Sequence, residues 1–285
     1  MKLTEKKLSL TQRVLVYGPP KTGKSELAAK LSEHFNLLWF DNEQGWSVLT
    51  KLKPEWQERI NIISVPDSRV YPIAAETWLK VIKGTPVEIC RLHGKVTCAM
   101  CKKDNGAQDR VALNELGADT IVVFDSLTQF VNSCISHITK NQPEDYKLEY
   151  SDWGYLRVLM DKFLSQVQAA QYSVVVITHE EEVKMEDGKQ KLVPVGGSSN
   201  SSRHTAKYFD HVVYCEVKNR KHTFGSATTF GMNMVTGSRT NIAIENVENP
   251  SLLAIFKPEL FPQATAPVVS ITPAMQAAKN IGVVK

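Results

Sequence analysis

The segment Gly18-Pro19-Pro20-Lys21-Thr22-Gly23-Lys24-Ser25 satisfies G-x-x-x-x-G-K-[ST] at every position. Glycines let a backbone curl until several N–H groups face one anion, and a helix opening near Lys24 adds its positive end. Lys24 is placed to reach β- and γ-phosphates, and the Ser25 hydroxyl to ligate Mg²⁺. The expected ligand is ATP with magnesium. Such a site needs a carboxylate at the end of a neighbouring strand to order the metal's water shell. Asp125, directly after the apolar run TIVVF, supplies it; a turn or N-cap aspartate is the competing reading. Hydrolysis also needs a group that polarises the attacking water. Glu43, in the DNEQG segment that ends LLWF, is the general-base candidate, with Asp41 behind it and a solvated turn glutamate as the alternative.

A second cluster is Cys90-x₂-His93-x₄-Cys98-x₂-Cys101. Four soft or borderline ligands at short spacing close a tetrahedral Zn²⁺ site with no open position, which makes the zinc structural rather than catalytic. Metal binding would order a stretch of low apolar content, residues 84–106. Lys83, Arg91, Lys95, Lys102 and Lys103 surround it as a basic knob. Cys134 and Cys215 lie in or beside apolar runs and read as buried thiols.

These residues need elements to hold them. Apolar runs at 12–17, 37–40, 62–64, 120–124, 173–179 and 211–217 read as strands, with 227–235 as another. Helical spacing covers 25–35, 74–82 and 155–170. Residues 180–205, polar and Gly/Ser-rich, read as a long mobile loop. Wholly apolar strands alternating with helices predict an α/β fold with a mostly parallel sheet covered on both faces. The expected organisation is one domain over 8–256, a zinc-finger insertion at 84–106 within it, and a flexible tail at 257–285. The formal charge of +4 permits an acidic partner without requiring one. No run approaches the ~20 apolar residues of a membrane span, and residues 1–10 have no apolar signal core, so the cytoplasm is expected.

With Gly18–Ser25, FDNEQG and VVFDSL in this order, the chain resembles the RecA-like branch of P-loop ATPases over residues 10–245. More closely, it is similar to phage-encoded RecA-like AAA proteins used in recombination, including single-strand annealing ATPases. The resemblance implies a RecA-like core, with the catalytic glutamate at Glu43 and the Mg²⁺ carboxylate at Asp125, followed by Ser126. SVVVITH is similar to a strand ending in a γ-phosphate sensor, usually Gln; here the position holds His179. The family's DNA-gripping loop falls on 180–205, with Lys184, Lys189, Lys191, Gly196, Gly197 and Arg203. The run Glu180-Glu181-Glu182 at its start opposes that role. A first DNA loop falls on 133–152, with His137, Lys140 and Lys147. Lys218, Arg220, Lys221 and Arg239 are candidates to reach a neighbouring subunit's γ-phosphate. The implied function is DNA-stimulated ATP hydrolysis in annealing or strand exchange. Implied partners are single-stranded DNA, further copies in a ring or filament, and a single-stranded-DNA-binding protein. The alternatives are a replicative helicase motor or loader, and a nucleotide-switched binding protein with little turnover. The zinc insertion lies outside the resemblance.

Overall fold

Strands that are apolar on both faces are stable only between two covering layers. The computed structural model, which describes residues 11–103, 106–185, 188–226, 233–239 and 251–260, has this arrangement. In chain order the first half holds β1 (Arg13–Tyr17), α1 (Lys24–Ala29), β2 (Asn36–Asp41), α2 (Pro54–Gln57), β3 (Ile60–Ser64) and α3 (Ile73–Val81). An inserted unit follows, of β4 (Val87–Cys90), α4 (Ala99–Lys103) and β5 (Gln108–Val111). The core resumes with β6 (Thr120–Asp125), α5 (Leu127–Thr139), α6 (Tyr150–Ala169) and β7 (Ser173–Thr178). Then come β8 (Glu180–Lys184), β9 (Gln190–Pro194), α7 (Ser199–Thr205), β10 (His211–Lys218), β11 (Lys221–Gly225), β12 (Gly237–Ser238) and α8 (Leu253–Phe256).

The main sheet runs β11-β10-β1-β7-β6-β2-β3, with β12 pairing β10. From β10 to β3 every pairing is parallel, and only β11 and β12 run against their neighbour. All six parallel strands therefore end on the same edge. Alternate residues face opposite layers. Leu15, Phe40, Phe124 and Val176 face a core shared with α3, α5 and α6. Val16, Trp39, Val123 and Ile177 face a second one shared with α1 and α8. On the first face Trp78 packs on Phe124 at 4.9 Å and on Phe130 at 5.1 Å, and Phe163 meets Phe130 at 4.8 Å. These offset and tilted rings fix three helices on β2 and β6.

Several boundaries differ from the sequence reading. Residues 180–205 are not a loop. β8 and β9 pair antiparallel and α7 follows. The hairpin buries Val183 between exposed Glu182 and Lys184, and buries Val193 and Pro194 on β9. Tyr17 Oη donates to the carbonyls of Leu192 and Val235, at 3.3 and 3.0 Å, and Tyr214 Oη to Glu180 Oε2 at 2.7 Å. His137 likewise lies on α5 rather than in a loop. The α6 helix starts at Tyr150, ahead of the expected 155, because Glu149 and Asp152 form a capping box. The helix expected over 25–35 is α1 followed by a 3₁₀ turn at Lys30–Glu33. Of the strand expected at 227–235, residues 227–232 lie outside the described residues; Met234 bridges to Leu192. Of the expected tail, 261–285 lie outside them too; Lys257 Nζ sits 5.3 Å above the Phe35 ring.

The inserted unit is seated on the core and does not stand off as a knob. Gly94 has φ 61°, and a Cβ there would meet the Ser64 carbonyl oxygen at 2.4 Å. Thr77 Oγ1 donates to the Gly94 carbonyl at 2.8 Å, and Lys95 pairs with Glu76 at 3.7 Å. Gly94→Ala is therefore expected to destabilise the protein by about 1–3 kcal/mol, read from chemical denaturation. An unchanged midpoint would contradict this seating.

Candidate active site

The common edge gathers the residues singled out above. In register, Asp41 stands opposite Asp125, and Asp125 opposite Ile177. Tyr17, the residue before Gly18, stands opposite Thr178, the residue before His179. The phosphate loop, the two strand-end carboxylates and the histidine thus come to one place from four adjacent strands.

The loop is shaped by close packing. Gly18 has φ 146°, and any Cβ would lie 2.0 Å from the Cys215 carbonyl oxygen. Pro19 and Pro20 carry no N–H, so anion donors must come from Gly18 and from Lys21 onward. Thr22 Oγ1 donates to the Pro19 carbonyl at 2.9 Å, and His222 Nδ1 lies 3.0 Å from the Thr22 carbonyl oxygen. Lys24 is buried, and its ammonium donates to the carbonyls of Gly18 at 3.0 Å and Pro19 at 2.6 Å. Burial lowers the Lys24 pKa, opposed by Glu43, Asp125 and other acidic groups nearby.

Ser25 Oγ donates to Asp125 Oδ2 at 2.8 Å. Asp125 is buried and its Oδ1 has no protein partner among the described residues. Burial, and after it the Glu43 carboxylate, push its pKa up to about 7. A buried carboxylate with one lone oxygen, beside a hydroxyl, fits a hard divalent cation. The N-cap reading fails: the side chain that accepts from Gln129 N and caps α5 is that of Ser126.

Glu43 is positioned from both sides. Its backbone N–H donates to Asp41 Oδ1 at 3.1 Å, as does that of Gly45 at 3.3 Å. Ser126 Oγ donates a short hydrogen bond to Glu43 Oε1. Asn42 Oδ1 accepts from Ser126 N at 2.7 Å, tying the two strand ends together. Asp41 is thus a buried brace for the loop, with its pKa raised by burial. The roles of Asn42 and Ser126 as ties were not read from the sequence, although both stand beside residues that were.

His179 Nε2 lies 4.0 Å from Glu43 Oε1. Its pKa is lowered, first by burial and then by Lys24, which keeps the ring neutral near pH 7. A directed hydrogen-bond chain starts at its backbone: His179 N to Thr128 Oγ1 at 2.9 Å, Thr128 to Thr178 at 3.0 Å, and Thr178 to the Val195 carbonyl at 3.0 Å.

The remaining candidates lie apart from this centre. Lys184, Lys189 and Lys191 sit on or beside β8 and β9, and Arg203 reaches from α7 to the Lys184 carbonyl. Lys218 and Lys221 flank the β10–β11 turn, with Arg220 in it at φ 65°, on the phosphate-loop edge. Arg239 is at the opposite edge, where it pairs with Asp210 at 3.4 Å and donates to the Lys207 carbonyl.

The cysteine cluster comes together at the end of β4. His93 Nδ1 lies 3.8, 3.6 and 3.3 Å from the sulfurs of Cys90, Cys98 and Cys101. All four ligand atoms lie within 4.8 Å of one another. Bonds of the length zinc makes to sulfur and nitrogen would place such atoms about 3.6 Å apart. The donor set fits a tetrahedral zinc.

No helix among the described residues is long and apolar enough to cross a membrane. No curated protein matches the chain. Residues 10–243, most of the sequence, match a family model described as an AAA domain. The complete phosphate-loop motif after β1, with Ser25 hydrogen-bonded to Asp125 at the end of β6 two strands away, agrees with that match. The chain therefore belongs to the AAA domain family, and within it is a P-loop ATPase.

Proposed function

We propose that this ATPase binds single-stranded DNA and uses ATP hydrolysis to control annealing or strand exchange, in the manner of the phage recombination ATPases it resembles. It would act in the host cytoplasm as a homo-oligomeric ring or filament. The supporting observation is the path by which the phosphate site continues into residues 180–205. His179 stands beside Glu43, while its backbone leads through Thr128 and Thr178 to Val195 at the base of the β8–β9 hairpin. A ligand that moved this hairpin would shift the sensor against the base. Glu180, the first of the three acidic residues, is held by Tyr214. Lys184, Lys189 and Lys191 on the hairpin are the groups proposed to meet phosphates.

In catalysis Lys24 balances the charge of the β- and γ-phosphates, and backbone N–H groups of 21–25 cradle them. Ser25 and Asp125 would hold Mg²⁺, which when bound neutralises charge building on the phosphate oxygens. Glu43 accepts the proton of the attacking water, aimed by the Ser126 hydroxyl and the Asp41 brace. His179, neutral, donates toward the γ-phosphate. Lys218, Arg220, Lys221 and Arg239 are the candidates to serve a neighbouring subunit's nucleotide, and Cys90, His93, Cys98 and Cys101 would hold a structural zinc.

Turnover is expected to rise on addition of single-stranded DNA, with salt-sensitive binding; a rate indifferent to DNA overturns the proposal. Glu43→Gln should lower kcat by about 10²–10⁴ while ATP still binds. Asp41→Asn should lower kcat about ten- to a hundred-fold through displacement of Glu43, and full activity would remove the brace. Chelation should release about one zinc per chain and lower the unfolding midpoint, measured by elemental analysis and thermal melting.

A further inference from the structure

The helical layer carries a groove that the ATPase chemistry does not use. α3 and α6 enclose a cavity of about 1000 Å³. Its floor is apolar: Ala75, Ile82 and Leu159 are buried beneath it. On its α6 wall Tyr155 and Val158 remain 49% and 46% exposed, an apolar pair three residues apart on one helix face.

The rim carries three lysines and two carboxylates. Lys80 and Lys83 come from α3 and the turn after it, and Lys162 from α6. None of the three has an ion-pair partner among the described residues. The two rim carboxylates are already engaged. Glu76 faces Lys95 at 3.7 Å and His137 at 3.9 Å, and Asp161 accepts from Tyr208 Oη at 3.0 Å and faces Arg157 at 3.8 Å. What the groove offers a visitor is an apolar floor under three uncommitted ammonium groups. The wall from Tyr155 to Gln166 is about 17 Å long, enough for a short peptide and too short for a domain.

We infer that this groove is a docking site for an acidic peptide segment of a partner protein, its apolar side chains on the floor and its carboxylates on Lys80, Lys83 and Lys162. This inference stands apart from the DNA reading, and its failure leaves that reading intact.

The test uses the full-length protein and a fluorescent peptide in which aspartates alternate with phenylalanine and leucine, followed by anisotropy. Binding should weaken with salt and fall about ten-fold or more when asparagine replaces the peptide's aspartates. The same loss is expected in the triple variant Lys80→Glu, Lys83→Glu, Lys162→Glu, and in Val158→Ser. Val158 is half-exposed, so its replacement leaves the core intact. ATP turnover and melting temperature should be unchanged in both. Absence of binding, or binding indifferent to the triple variant, overturns the inference. Loss of oligothymidine binding in that variant would make the occupant a nucleic acid. A change in sedimenting mass would make it a second copy. Peptide binding seen only after removal of residues 261–285 would make it this chain's own end. Each of these three results also overturns the inference.

Discussion

The buried ammonium of Lys24 lies in the field of two carboxylates, Glu43 and Asp125, and the parallel register of the sheet sets a third, Asp41, beside Asp125. Asp41 and Asp125 are the last residues of neighbouring strands and stand directly opposite each other. Each keeps one buried oxygen without a protein partner among the described residues. Buried negative charge in this concentration is costly unless balanced. The balance comes from backbone N–H groups at Asp41, from the Ser25 hydroxyl at Asp125, and from Lys24. The donor set fits a cation, and the opposition of Asp41 and Asp125 follows from how the strands pair.

The insertion shows the same logic of compensation. It has too little apolar side-chain surface to fold unaided, and its few buried groups, Ile89, Val96 and Val111, join the core shared with α3 rather than forming one of their own. Three buried sulfurs and a half-buried imidazole make a separate cluster next to it. A metal ordering that cluster would complete a unit already anchored on one side through Gly94 and Thr77.

Much of this was legible in the residues. Apolar runs marked the strands, because burial on both faces demands such runs. The phosphate loop, Asp125 and Glu43 could be singled out because each follows an apolar run closely along the chain, and the fold brings them to one edge. The β8–β9 hairpin was missed because glutamate and lysine dominate it, and its buried side chains are few, chiefly Val183 and Val193. Its hold on the core comes from Tyr17 and Tyr214, some 160 residues before and 30 after it in the chain, pairings that no local pattern reveals. Asn42 and Ser126 were passed over because each acts on the other's strand end, across 84 positions. That Arg239 lies at the far edge with Asp210 follows from strand polarity, a property of the whole sheet rather than of the local sequence.

The contact between Gly18 and the Cys215 carbonyl leaves no slack between the phosphate loop and the middle of β10. Two backbones that touch without side chains between them cannot slide or cushion one another. A side chain at position 18 would have to push the loop and β10 apart, so the curl of the loop is set by the neighbouring strand as much as by its own residues.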